Sequence, residues 1–147
     1  MRTLVVLLLL LMQTVAWADN LLMVRSRQPF AETMLALQGA IRNQGYTVSR
    51  VQRVDIGLTR SGFETDKYRV VFFAKPDELR QLAADYAEII PYVPLKIALF
   101  AEGEETIAVA ANPELLIDMY EQPALHKVFA RWSTDMRAIF EQVRLAE

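Results

Sequence analysis

The chain has 147 residues, 53% of them hydrophobic, with 16 lysines and arginines, 18 aspartates and glutamates, one histidine and no cysteine. That length suits one domain able to bury a core of its own. Acidic and basic residues are interspersed, which argues against nucleic acid as a partner because phosphate binding needs a concentrated basic face. The lack of cysteine excludes disulfides, thiol catalysis, covalent c-type haem and iron–sulfur ligation.

Met1-Arg2-Thr3, the apolar run from Leu4 to Met12 and the small residues Ala16 and Ala18 read as a secretory signal peptide over residues 1–18, cut after Ala18. A spanning helix needs about 20 apolar residues, and polar Gln13 and Thr14 interrupt this run too early. Retention as an anchor is the alternative. Cleavage leaves residues 19–147 as a single periplasmic or secreted domain without a stable membrane span.

Leu21-Leu22-Met23-Val24 predicts a first strand that ends in Arg25-Ser26-Arg27. Pro29 then opens a helix whose stripe is Phe30, Met34, Leu37 and Ile41, with Gly45 as its stop. The β-branched residues between Tyr46 and Ile56 predict a second strand, and the spacing of Val48 and Val51 predicts a bulge near Ser49. Gly57 to Lys67 reads as a connection with one helical turn. Tyr68 to Phe73 is the clearest buried strand.

Pro76-Asp77-Glu78 opens a second helix that runs towards Ile90-Pro91. Leu95–Phe100 and Thr106–Ala110 flank Gly103 as a hairpin. Asn112-Pro113 caps a short helix. After Pro123, the residues Leu125, Val128, Phe129, Trp132, Met136, Ile139, Phe140 and Val143 mark a long C-terminal amphipathic helix. The order predicts an α+β fold of two layers, a mainly antiparallel sheet of about five strands with helices packed on one face.

Several of these stretches resemble the exported members of the domain of unknown function 302 family. The likeness covers about residues 21–113 and rests on Phe30-Ala31-Glu32-Thr33 with Leu37, Gln44-Gly45-Tyr46, Val70-Val71-Phe72-Phe73 running into Ala74-Lys75-Pro76, Val93-Pro94-Leu95-Lys96, and Asn112-Pro113. It implies a small two-layer α/β domain with no established biochemical activity. The chain departs from the family at Ala74, often glycine there, and at Ala110 and Ala111, where an aromatic residue often precedes the Asn-Pro step.

No nucleophile elbow, phosphate loop or metal-ligand spacing is present, and no cofactor is predicted. His126 is read as a surface histidine, with a base or a metal or haem ligand as the functional alternatives. The methionines fill core. The acidic groups Asp77-Glu78, Asp85 with Glu88, and Glu102, Glu104 and Glu105 read as solvated surface, the last also discouraging edge-to-edge association.

Arg50 and Arg53, joined by Arg25 and Arg27 should the first two strands be neighbours, form a candidate anion site or a salt-bridged surface. Tyr68, Phe72, Tyr92 and Trp132 are candidate pocket walls as well as candidate core, and Lys96 is the outward residue of a half-buried strand. The favoured reading is a non-catalytic module that binds a small apolar or anionic ligand or an envelope protein, as a homodimer through an exposed sheet edge. The alternatives are an enzyme with His126 or a carboxylate pair as base, and a metal- or haem-associated redox accessory.

Overall fold

The longest apolar stripe in the sequence becomes the longest helix. In the computed structural model, which describes residues 20–64 and 67–146, a helix spans Pro123–Leu145 and buries Leu125, Phe129, Trp132, Met136, Ile139, Phe140 and Val143 along one side. The signal segment and its cut site lie outside the described residues.

The elements run β1 (Leu21–Ser26), α1 (Phe30–Asn43), β2 (Thr47–Arg53), α2 (Val54–Arg60), β3 (Tyr68–Ala74), α3 (Pro76–Asp85), a 3-10 turn at Ala87–Tyr92, β4 (Leu95–Glu102), β5 (Glu105–Ala111), a second 3-10 turn at Pro113–Met119, and α4, the long helix. The strands form one sheet in the order β1-β5-β4-β3-β2, antiparallel at every step. The fold is therefore the expected two-layer α+β domain. Helices α1 and α4 cover one face, where Leu37, Ile41, Val71, Phe73, Ile97, Leu99, Phe129 and Ile139 are fully buried.

Local chemistry sets the boundaries. Gly45 ends α1 at φ 78°. Its N–H donates to the Arg42 carbonyl at 2.9 Å and the N–H of Tyr46 to that of Ile41 at 3.2 Å, a Schellman turn that only glycine enters without strain. The β4–β5 turn has two residues, Gly103 and Glu104, with Gly103 at φ 60° and Glu102 paired to Glu105. This is the type II′ arrangement, whose twist matches that of the strands.

Three boundaries depart from expectation. The register shift between Val48 and Arg50 is the expected bulge, but β2 stops at Arg53, and Val54–Ile56 open α2. Asp55 accounts for this. Its carboxylate is buried against Arg53 and Arg69 at the helix's first turn, and that anchoring outweighs the β preference of Val54 and Ile56. Helix α3 ends at Asp85, short of Ile90, and the chain tightens into a 3-10 turn containing Pro91. The short helix capped by Asn112 is likewise 3-10, with the Asn112 side chain accepting from the N–H of Glu114.

Candidate functional site

Antiparallel pairing places residues of one face in rows across the sheet. With Leu22, Val24, Val71, Phe73, Ile97 and Leu99 turned to the helices, the opposite face is built from the alternate positions. One row reads Arg50, Phe72, Lys96 through the pairs Arg50–Phe72 and Phe72–Lys96. The next reads Gln52, Val70, Ala98, Val109, Met23, and the third Tyr68, Phe100, Ile107, Arg25. Glu102 and Glu105 close the far end. Among the described residues this face carries no long helix, and most of its central side chains are apolar.

Charge is divided along the strands. At the far end Arg25 bonds to Glu102 and Glu105, each at 2.7 Å. The Glu105 carboxylate first, then that of Glu102, holds the Arg25 guanidinium above its ordinary pKa. At the near end Arg50 and Lys96 are exposed, and neither makes an ion pair or hydrogen bond among the described residues. Two strand spacings separate their backbones by about 10 Å, with Phe72 between them.

Lys96 borders two hollows. A shallow one of about 400 Å³ lies on the open face over Tyr68, Val70, Phe72, Ala98 and Val109. The other, of about 320 Å³, lies between the two 3-10 turns against Tyr92, Leu95, Leu115, Leu116, Met119 and Met136. Ala111 lines both. Each volume falls in the range of small-molecule sites, and each combines an apolar wall with few polar groups. Asn112 lines the second hollow but is occupied, its Oδ1 accepting from Ser133 Oγ at 2.7 Å and from the Glu114 N–H at 3.2 Å. It fixes the second 3-10 turn to α4.

Of the residues singled out in the sequence, the fold thus gathers Arg50, Phe72, Lys96 and Tyr68 on one face, with Tyr92 on the other side of Lys96. Arg53 and Trp132 lie elsewhere. Arg53 points to the helical side and bonds to Asp55 at 3.0 Å. Trp132 is 3% exposed and packs on Phe129. The joint patch of Arg25 and Arg27 with Arg50 and Arg53 does not form, because β1 and β2 are opposite edges of the sheet.

His126 hydrogen-bonds through Nε2 to the Tyr120 carbonyl and lines neither hollow. Among the described residues no three His, Asp or Glu converge as metal ligands, and no helix is long and apolar enough to cross a membrane. Met34 and Met136 sit in or against the core, whereas Met23 and Met119 are about 60% exposed and line the face and the second hollow.

A second polar cluster has a different character. Tyr46 donates to Asp135, which also faces Arg131 at 3.3 Å and Lys75 at 3.7 Å, and Arg131 bonds to Glu78. Burial, then the bond to Asp135, pushes the Tyr46 hydroxyl well above its usual pKa, so it stays protonated. The space beside it is about 10 Å³, room for a single water. This cluster braces the end of the sheet to α3 and α4.

The face was missed in the sequence because Val70, Ala98 and Val109 give no polar alternation. Helices on one face and an open, largely apolar surface on the other define a two-layer α+β domain with a cation-bordered sheet. Within that class, the chain belongs to the family described as Domain of unknown function DUF302, matched over residues 22–143. The match runs through α4, so the long helix is part of the family's domain.

The chain is also similar to the crystal structure of an uncharacterized conserved DUF302 protein from Bacillus stearothermophilus. The two share 20% identity and a TM-score of 0.76 over 86% of this chain and 100% of that one. At that identity the likeness is one of fold. No curated protein matches the chain.

Proposed function

We propose that this protein is an exported, non-catalytic binding module for a small apolar molecule that carries an anionic group. The observation that supports it best is Lys96, which lines both apolar hollows and has no ion pair among the described residues, with Arg50 further along the same row beyond Phe72. The apolar body of the ligand lies in either hollow, and Lys96, which lines both, takes the charge. Residues 1–18 direct export and are removed after Ala18.

Calorimetric titration with decanoate and with decanol tests the reading. An exposed ion pair contributes up to about 1 kcal/mol, so the carboxylate is expected to bind roughly fivefold more tightly than the alcohol, and Lys96→Gln to abolish that preference. Equal affinity for both ligands, or no binding of either, rejects it. Intact mass of protein recovered from the envelope is expected to lack residues 1–18, and a retained segment rejects the cleavage.

A further inference from the structure

The two edges of the sheet are finished differently. β2 carries the bulge between Val48 and Arg50 and the side chains of Arg50, Gln52 and Arg53, devices that discourage another strand from pairing. β1 has no bulge, and its one charged side chain, Arg25, is tied to Glu102 and Glu105 of its own sheet. Its register with β5 is unbroken from Leu21 to Ser26, it contains no proline or glycine, and Leu21 and Met23 are 56% and 60% exposed.

The phase of its hydrogen bonds follows from one contact. The N–H of Asn112 donates to the carbonyl of Asn20 at 2.9 Å, so even-numbered residues of this strand bond to β5. The peptide groups of Leu21, Met23 and Arg25 therefore face outward. Beside them runs a channel of about 370 Å³, walled by Leu21–Val24 and by Arg137, Phe140, Glu141 and Arg144 of α4.

We propose that a second copy of this chain docks here, its β1 antiparallel to the first about a two-fold axis near Met23, so that the two sheets become one. One feature favours a copy over a foreign strand, and a second leaves it unopposed. The apolar row Val70–Ala98–Val109–Met23 ends at the edge, and a mate continues it with the same row reversed. Along α4 the charges run Arg137, Glu141, Arg144, a pattern symmetric about Glu141, so a two-fold mate gains no charge pairing from it. The arginines are already balanced on their own chain, by Glu114 at 3.9 Å and Glu141 at 2.6 Å, so the channel wall does not repel its equal.

The test uses protein purified after export of the full chain. Sedimentation equilibrium is expected to give twice the chain mass at high micromolar concentration. Amide exchange at Leu21, Met23 and Arg25 is expected to slow about tenfold or more as concentration rises through the transition. Met23→Lys brings like charges together at the axis, and Met23→Pro removes an N–H that the chain's own sheet does not use. Both are expected to be monomeric with an unchanged far-ultraviolet spectrum.

A single-chain mass at every concentration overturns the proposal. So does a dimer in which those three amides exchange as fast as in the monomer, the result for docking through the open face. Protection independent of concentration also overturns it, since the chain's own N-terminal segment would then cover the edge.

Discussion

Tyr46 Oη lies 2.6 Å from Asp135 Oδ2, joining the residue after the α1 stop to the middle of α4. Gly45 makes this contact by turning the chain so that Tyr46 enters the core edge-on to Phe73, with the Lys75 ammonium 4.5 Å from its ring centre. Tyr46→Phe keeps the packing and loses the bond, at an expected cost of about 1–2 kcal/mol in urea denaturation. Because the folded-state pKa is raised, this stabilisation is complete below the unfolded value of about 10 and fades as pH rises towards the folded one. The difference between wild type and Tyr46→Phe should therefore shrink in alkaline buffer.

Asp55 has the opposite pH signature. Arg53, then Arg69, holds its carboxylate below the usual range. A depressed carboxylate contributes stability above its unfolded pKa of about 3.9, and the contribution disappears as pH falls through the folded value. Asp55→Asn is expected to destabilise the protein at neutral pH and to approach wild type in acid, measured by denaturation midpoints across the acid range.

Gly103 is a conformational requirement. At φ 60° a β-branched side chain is strained by about 1–2 kcal/mol, whereas asparagine is tolerated. Gly103→Val should lower the thermal midpoint by several degrees, and Gly103→Asn by much less.

Phe129 is fully buried between Tyr120 and Trp132, with ring centroids at 5.5 and 5.7 Å. Phe129→Ala is expected to cost about 3–5 kcal/mol. Lys96→Gln, at an exposed position without an ion pair among the described residues, should stay within about 0.5 kcal/mol of wild type. Chemical denaturation of the two variants separates a residue of the core from one kept for contact with something outside it.

Legibility in the sequence followed periodicity. The α4 stripe from Leu125 to Val143 was readable because a 3.6-residue period over many turns has no rival interpretation, and the spacing of Val48 and Val51 announced the bulge. Val54–Ile56 misled because β-branched residues favour a strand locally, while the partner that turns them into a helix, Arg69, lies on another strand. Strand order was hidden altogether, so nothing in Arg25 and Arg53 revealed that they occupy opposite edges. The open face escaped for a related reason: β3 and β5 are apolar on both sides, and alternation cannot distinguish a face that meets helices from one that meets solvent.

Lys96 stands between two hollows rather than at the mouth of one. Molecular length thereby becomes countable. On the proposed reading, two short ligands lie one on each side and share the ammonium, whereas a longer one crosses Lys96 and occupies both. The number of ligands bound per chain should then fall as the apolar tail lengthens, so one side chain would set the stoichiometry.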